Sequence, residues 1–362
     1  MNGRRMLGDL LDAYRTTGAE LPGGDLLGAR GVSMDGWFWR ITDAAQDRVA
    51  ILLAGVNTPR RGPVWGIAGL ACDSRTAPPL LATAHLPEAT AARDGVLVEM
   101  SGESGTVHGS DSALDVRLGD AHLTARLEEV HRWQGLLGGS SVFQMVPWMN
   151  QYWHPWALGG RVSGSLVTPD DLWEFTDAQL YAEKNWGRGG FPTAWWWGQA
   201  QGFDDPSACV AFAGGTIHLG RPGRDARLTT EVTALVVRLP DGRQLRLGNP
   251  GTSPVHAELT TADGRDHWRV QGHSRVWRVV VEASNPTAES FVLPVPLVEE
   301  RRLASGALEH QLGDLRVRVW RRDRLVWQAS SSLAALESGG REQAESELRA
   351  RGGRPEPQRP AS

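Results

Sequence analysis

The segment from Ser112 to Val130 reads SALDVRLGDAHLTARLEEV and alternates apolar and polar residues on both sides of a Gly-Asp pair. In an extended chain successive side chains point to opposite faces, so Leu114, Val116 and Leu118 share one face of a strand. Gly-Asp is a common turn dipeptide, and the alternation resumes after it. The segment is therefore typical of two antiparallel strands joined by a tight turn.

The same period-two pattern recurs along the chain, whereas sustained helical periodicity is almost absent. Turn dipeptides such as Asp-Gly, Pro-Asp and Asn-Pro separate the alternating runs. So many antiparallel strands predict an all-β protein, built as a sandwich or as barrels. We expect two lipocalin-like antiparallel β-barrels in tandem, each wide enough for one small ligand, with short terminal helices. The helical candidates are GDLLDAYRTTG near the start and SLAALES and EQAESELRARGG near the end.

One segment near the middle of the chain, VFQMVPWMNQYWHPWALGG, breaks the alternation. A crossing between barrels at this point predicts an N-terminal barrel over residues 1–157 and a C-terminal barrel over residues 158–335. Residues 336–362 end in GGRPEPQRPAS, a stretch rich in proline and polar residues. We expect residues 336–362 to form a polar, disordered tail.

The composition of the chain excludes several kinds of partner and site. The formal net charge is −4, with charges of both signs scattered along the chain, which argues against nucleic-acid binding. The two cysteines lie far apart and form no Cys-x-x-Cys motif, so neither a zinc site nor a disulfide framework is expected. The sequence shows no signal-peptide core and no apolar run long enough to span a bilayer. We expect a soluble, cytoplasmic protein.

Sequence motifs for common cofactors are also absent. There is no Gly-x-Ser-x-Gly elbow, no His-Glu-x-x-His, no Walker loop and no Gly-x-Gly-x-x-Gly between a strand and a helix. We therefore expect no metal and no cofactor, with any chemistry carried by side chains alone.

Residues 173–203 form the most distinctive part of the sequence. They contain Lys184, the only lysine among the 38 Lys and Arg residues of the chain, and three of its 16 tryptophans in a row. Indole faces suit a cation, or an oily ligand with a polar end. Alternation predicts three shared faces in this segment: Trp173, Phe175 and Asp177 in LWEFTDA; Tyr181, Glu183 and Asn185, opposite Lys184 and Trp186, in YAEKNW; and Trp195, Trp197, Gln199, Gln201 and Phe203 in AWWWGQAQGF.

These residues resemble the signature of the tocopherol cyclase family. That signature reads approximately Phe-x-Asp-Ala-x-x-Tyr-x-Glu-Lys-Asn-Trp-Gly, then a short Gly-rich spacer and Phe-Pro-x-x-Trp-x-Trp-x-Gln. The chain matches it from Phe175 to Gln199. Near the N-terminus, MDGWFWRIT is similar to a second family strand, Glu-Gly-Trp-Tyr-Phe followed by Arg or Lys. Looser similarity extends over most of the chain, from about residue 35 to about residue 325.

Three departures from the family pattern bear on the substrate more than on the fold. Asp35 replaces the usual glutamate before Gly-Trp, and Phe38 replaces the usual tyrosine, so position 38 offers no phenolic proton donor. The spacer before Phe191 has three residues, 188–190, where the family pattern has two.

The resemblance implies an enzyme that closes a chromanol ring on a prenylated benzoquinol without a redox cofactor or a metal. An acid protonates an alkene of the prenyl tail, and the phenol oxygen captures the tertiary carbocation. Such an acid must stay protonated near neutral pH, which burial in apolar surroundings favours. A lipophilic substrate further implies transient contact with a membrane surface. The candidate catalytic residues are Asp177 and Glu183 as alternative acids and Lys184 as the group that binds or deprotonates the quinol oxygen. The candidate substrate-binding residues are Trp37, Tyr181, Asn185, Trp186, Phe191, Trp195, Trp197 and Gln199.

Each assignment has a structural alternative. Lys184 and Glu183 could be exposed charges, Asp177 a turn residue, and the tryptophans at 195–197 a core strand. Two other functions suit the same apolar pocket: a non-catalytic lipocalin-like carrier of a hydrophobic isoprenoid, and a hydratase in which water captures the cation on an isoprenoid or carotenoid chain.

Overall fold

The computed structural model describes residues 32–92, 95–135, 138–141, 143, 150–187, 191–219 and 228–354, and most of them lie in antiparallel strands. This confirms the all-β prediction. The helix expected at GDLLDAYRTTG lies outside the described residues. The strands are β1 (Met34–Asp43), β2 (Arg48–Asn57), β3 (Trp65–Ser74), β4 (Leu80–Leu86), β5 (Glu88–Ala91), β6 (Leu97–Gly102), β7 (Gly105–Ser110), β8 (Ala113–Leu118), β9 (Ala121–Glu128), β10 (Tyr152–Ala157), β11 (Arg161–Val167), β12 (Leu172–Gly187), β13 (Trp195–Ala200), β14 (Cys209–Leu219), β15 (Leu228–Arg238), β16 (Gln244–Leu247), β17 (Val255–Ala262), β18 (Arg265–His273), β19 (Trp277–Pro286), β20 (Phe291–Leu297), β21 (Arg302–Arg321) and β22 (Arg324–Gly339).

The first sheet contains β1 to β12 and is a nearly closed barrel. Its strand order is β4-β3-β2-β1-β12-β11-β9-β8-β7-β6-β5, with β10 also paired to β12. The two ends of this order, β4 and β5, follow each other in the chain with Pro87 between them, so the edges of the sheet meet. The predicted hairpin is β8 and β9, and it turns Leu114, Val116 and Leu118 into the barrel core.

The second sheet contains β13 to β22 in the order β16-β15-β14-β13-β22-β21-β19-β18-β17, with β20 also paired to β21. Its end strands β16 and β17 are again consecutive in the chain, and Gly248 and Ser253 are hydrogen-bonded across the loop between them. This sheet forms the second barrel. Phe212, Trp268 and Val279 are among the apolar side chains that fill its interior.

The change from the first sheet to the second does not coincide with the boundary expected at residue 158. It lies between Gly187 and Trp195, because β11 and β12 complete the first sheet. The second half of β12 pairs with β1 on one edge and with β10 on the other. The irregular segment that suggested a crossing at 158 therefore contains a strand of the first barrel.

The C-terminal predictions are partly wrong. The segment SLAALES is not a helix but part of β22, where apolar residues occupy both faces because one face packs inside the second barrel and the other against the first. Residues 336–354 are ordered, not a disordered tail, and residues 355–362 lie outside the described part of the chain. The helix expected in EQAESELRARGG is confirmed as α1 (Arg341–Ala350). Within the described ranges, no helix is both long and apolar enough to cross a bilayer.

The two sheets share a buried boundary. Phe38, Tyr181 and Trp153 from the first sheet pack with Trp197 and Ala211 from the second. A charged side chain also crosses this boundary: the fully buried guanidinium of Arg40, on β1, donates to Oε1 of Gln199 at 2.9 Å and to the backbone carbonyl oxygens of Gln311 and Leu333.

Candidate active site

A cavity opens at this boundary and takes side chains from both sheets. The space it encloses, counted together with the open solvent at its mouth, is about 1220 Å³. Aromatic and aliphatic side chains form most of the wall, including Phe38, Trp153, Phe191 and Trp195. Three carboxyl groups also reach it, from Glu183, Glu309 and Glu337. An apolar cavity with a few acids is suited to an oily ligand and to proton transfer.

Glu183 is the carboxyl that the first sheet contributes, and it is only 3% exposed. Its Oε2 accepts hydrogen bonds from Trp153 Nε1 at 2.7 Å, Tyr181 Oη at 2.5 Å and Trp197 Nε1 at 2.9 Å. Burial raises the pKa of Glu183 above its ordinary value, and these hydrogen bonds act in the opposite direction. Burial thus favours the protonated acid, while three neutral donors are already in place to stabilise the carboxylate that remains once the proton is given away.

The faces predicted for YAEKNW are confirmed. Glu183 and Asn185 line the cavity, and Tyr181 lies on the same face behind Glu183, fully buried. Burial and the neighbouring Glu183 raise the pKa of Tyr181 well above its ordinary value, so the phenol stays a hydrogen-bond donor. Asn185 is half-buried, and its Oδ1 occupies the space that a side chain on Gly36 would need.

The predicted aromatic residues of β13 also reach the cavity. The ring centroids of Phe191 and Trp195 are 5.0 Å apart, and those of Trp197 and Phe38 are likewise 5.0 Å apart, in an edge-to-face arrangement. Trp197 holds Glu183 through its indole N–H, so the two predicted segments meet in one constellation. The three spacer residues 188–190 lie outside the described residues.

Lys184 lies on the opposite face of β12 and does not line the cavity. Its side chain is fully buried in the first barrel, with Nζ 3.0 Å from Oδ1 of Asp35. Nζ is also 4.7 Å from the ring centroid of Trp37 and 5.5 Å from that of Trp186. The structure therefore groups three predicted site residues, Lys184, Trp37 and Trp186, inside the barrel and apart from Glu183. Lys184 is not the exposed charge that was considered as an alternative.

Asp177 is exposed and does not reach the cavity either. The pairing of β11 with β12 shifts register there, with Val162 opposite Ala178 but Gly164 opposite Phe175. Such a bulge displaces the alternation by one residue. Ala178 therefore takes the core-facing position predicted for Asp177.

Gln199 is fully buried beside the cavity, bonded to the guanidinium of Arg40, and it is not among the lining residues. The shared face predicted from Trp195 to Phe203 does not extend beyond Gln199. The strand ends at Ala200, and Gly202 adopts a positive φ of 73°, so Phe203 packs inside the second barrel instead of beside Trp197.

Two cavity-lining acids were missed by the sequence interpretation. Glu309 lies on β21 and Glu337 on β22, and they are directly opposite each other in the pairing of the two strands. Glu309 is 3% exposed, whereas Glu337 is half-buried and accepts a hydrogen bond from Trp195 Nε1. The only sequence signal was the loose similarity of the segment around Glu309 to a late family strand. Within the described ranges, no three His, Cys, Asp or Glu side chains are grouped so that they could hold a metal ion.

Comparison with known proteins identifies the family of the chain. The family model described as tocopherol cyclase-like matches residues 141–340, which is more than half of the chain and includes β10 to β22. The chain belongs to the tocopherol cyclase-like family. A chloroplastic tocopherol cyclase from Zea mays is 30% identical over 203 residues, which cover 54% of this chain and 40% of the maize protein. The chain thus matches well under half the length of that relative.

Solved structures share the fold of this family member at low sequence identity. CghA has a TM-score of 0.59 at 11% identity, with 90% of this chain and 94% of CghA covered. Kievitone hydratase from Nectria haematococca has a TM-score of 0.50 at 10% identity, with 90% and 97% covered. These similarities support the two-barrel architecture.

Proposed function

We propose that this chain is a cyclase that closes a chromanol ring on a prenylated benzoquinol by proton transfer alone. The observation that carries the proposal is the setting of Glu183, a buried carboxyl at the wall of an aromatic cavity with three neutral donors on one oxygen. Family membership and the apolar lining of the cavity support the same substrate class.

Glu183 acts as the acid in this proposal. Its O–H bond breaks as a C–H bond forms at the prenyl alkene, and a tertiary carbocation results. The carboxylate left behind keeps its bonds to Trp153, Tyr181 and Trp197, so no reorganisation is needed when the charge appears. The phenol oxygen then captures the cation and loses its proton, and the product is an isomer of the substrate.

The aromatic side chains of the cavity wall stabilise the carbocation in this proposal. Indole faces that are shielded from water stabilise a positive charge by about 2 kcal/mol each. Trp195 and Trp197 both line the cavity, and Trp197 is hydrogen-bonded to Glu183. The same apolar lining excludes water, which would otherwise compete with the phenol oxygen for the cation. Phe38 adds an aromatic ring without a hydroxyl of its own.

A hydratase is the second candidate. It would use the same protonation by Glu183, with water in place of the phenol as the nucleophile. A structural neighbour named as a hydratase, kievitone hydratase, shares the fold. The polar side chains Gln151 and Asn185 at the cavity wall offer places to hold a water molecule. A third outcome, a carrier without catalysis, would bind the isoprenoid and leave it unchanged.

One assay separates these functions. Purified protein is incubated with a phytyl- or geranylgeranyl-benzoquinol. The products are separated by chromatography, and their masses are measured by mass spectrometry. A cyclase gives a chromanol with the mass of the substrate and a new retention time, a hydratase gives a product heavier by one water, and a carrier gives neither but shows quenching of tryptophan fluorescence.

Two matched variants of β12 test the acid. Glu183→Gln should lower turnover by about 10²-fold or more, because it removes the proton donor. Asp177→Asn changes an exposed carboxyl on the same strand and should leave turnover within about twofold. Full activity in Glu183→Gln would refute the assigned acid while leaving the reaction itself open to test.

A further inference from the structure

The second sheet brings its own acids to the cavity, opposite Glu183. In the pairing of β13, β22 and β21, Trp197 is opposite Glu337, and Glu337 is opposite Glu309. These three side chains therefore form a row across the sheet, spread over two strand spacings or about 10 Å. Trp197 at one end of the row donates its indole N–H to Glu183. The row thus connects the proposed acid of the first sheet to a carboxyl pair on the second.

One oxygen of the carboxyl pair lacks a hydrogen-bond partner among the described residues. Oε1 of Glu309 is buried and accepts no hydrogen bond from any residue in the described part of the chain. Glu337 is held by Trp195, and both acids line the cavity. A buried carboxyl oxygen without a partner is costly, and a hydroxyl group on a ligand would satisfy it.

We propose that Glu309 and Glu337 form a second carboxyl centre, which binds the ring hydroxyl of the quinol and takes up its proton as the chromanol ring closes. This inference rests on the cyclase function proposed above and assigns to it a proton acceptor separate from the acid. Adjacent carboxyls of this kind hold one proton between them, because like charges at short range disfavour double ionisation.

The protons balance over the cycle. At the start Glu183 is protonated and the pair carries one proton and one negative charge. The Glu183 O–H bond breaks as the C–H bond forms, and the phenol O–H bond breaks as the C–O bond forms, with its proton passing to the pair. Glu183 then carries the negative charge that the pair carried before. Transfer of one proton from the pair to Glu183 after product release restores the starting state, and no electron or co-reactant is consumed.

The electrostatics of the cavity support this division of roles. Burial, then the neighbouring Glu337, raises the pKa of Glu309 well above its ordinary value, while Arg40 lowers it. Burial raises the pKa of Glu337 to about 7, and the bond from Trp195 opposes that shift. A negative charge on Glu183 raises the pKa of both acids. The pair therefore becomes a better proton acceptor at the step in which Glu183 has given up its proton.

The test compares two ligands that differ in one hydroxyl. Binding of a prenylated benzoquinol and of its methyl ether at the ring-closing hydroxyl is measured by quenching of tryptophan fluorescence, in the Glu183→Gln protein so that no product forms. Because a hydrogen bond to a buried charged group is at stake, the quinol should bind about tenfold or more tightly than the ether. Adding Glu309→Leu, which places an apolar group in an apolar wall, should reduce this preference to about threefold or less. Glu258→Gln, an exposed acid of the same sheet, should leave the preference unchanged.

A kinetic measurement covers the case in which Glu309→Leu does not fold. In the otherwise unchanged protein, Glu309→Gln should lower kcat at least about tenfold with a smaller change in KM, because it removes a proton acceptor. An undiminished preference for the quinol in Glu309→Leu, or an unchanged kcat in Glu309→Gln, would overturn the second carboxyl centre alone. If the unchanged protein neither binds the quinol nor converts it, the cyclase function is refuted, and this inference with it.

Discussion

Lys184 gives a stability prediction that follows directly from its position inside the first barrel. Its ammonium group is fully buried, 3.0 Å from the carboxylate of Asp35, which is 20% exposed. Asp35→Asn keeps the shape of the side chain but removes the charge that faces the ammonium. Breaking a buried ion pair from one side costs about 3–5 kcal/mol, and we expect about 3 kcal/mol here because water reaches Asp35.

The partner substitution should cost less. Lys184→Met removes the buried charge, keeps an unbranched apolar chain against Trp37 and Trp186, and leaves a carboxylate that water can solvate. We expect a loss of about 1–2 kcal/mol for this variant. The double variant should be no less stable than Asp35→Asn, because the buried ammonium that faced the Asp35 carboxylate is then absent.

The free energy of unfolding is measured by equilibrium unfolding in urea for the unchanged protein, the two single variants and the double variant. The unfolding midpoints are compared provided that the slope m is unchanged. We expect Asp35→Asn to be the least stable single variant and the two losses to be non-additive by about 1 kcal/mol or more. Additive losses, or a larger loss in Lys184→Met than in Asp35→Asn, would refute the assignment of Lys184 to a buried ion pair. Loss of turnover with unchanged stability in Lys184→Met would instead place the lysine in the reaction.

Three further predictions concern the cavity and the boundary between the sheets. Trp197→Phe keeps an aromatic ring but removes the N–H that lies 2.9 Å from Glu183; the pKa of Glu183 should rise, and the alkaline limb of the pH–rate profile should move to higher pH. Burial raises the folded-state pKa of Glu337 from 4.5 to about 7, so the folded protein retains a proton that the unfolded chain releases, and stability should fall as pH rises from about 5 to about 8. Thermal unfolding at several pH values should show a flatter decline in Glu337→Gln, and an equal decline would contradict this. Arg40→Met should cost about 3 kcal/mol in urea unfolding, since it leaves carbonyl oxygens of the second sheet without their donor; a loss below about 1 kcal/mol would show that the guanidinium does not stabilise the boundary.

The strands that could be predicted from the sequence are those with one buried face and one solvent-exposed face. The hairpin of β8 and β9 follows from its alternation, as do the two faces of YAEKNW. A strand that is buried on both faces does not show the alternation of apolar and polar residues. Residues 332–338 of β22 pack with one face inside the second barrel and with the other against the first barrel. Because both faces are apolar, this run lacks the alternation of a strand and was predicted to be a helix.

The site was predicted in part for the same reason. Glu183 and Trp197 could be assigned from local alternation, because the strands that carry them are regular over those residues. Asp177 could not, since a bulge depends on the partner strand β11 and leaves no mark in its own segment. Glu309 and Glu337 joined the site through pairing between distant segments, which only the folded sheet reveals. Lys184 was predicted to bind or deprotonate the quinol oxygen, whereas its side chain lies in the core of the first barrel beside Asp35.

The most direct test of the account is cyclisation of a prenylated benzoquinol in deuterated buffer. If an exchangeable carboxyl protonates the alkene, each chromanol molecule should carry one deuterium bound to carbon, detected as a mass increase that survives return to ordinary water. Glu183→Gln should form this labelled product about 10²-fold more slowly than Asp177→Asn. Chromanol without carbon-bound deuterium, or labelled product formed equally fast by both variants, would contradict the claim that Glu183 starts the reaction by giving its proton to the substrate.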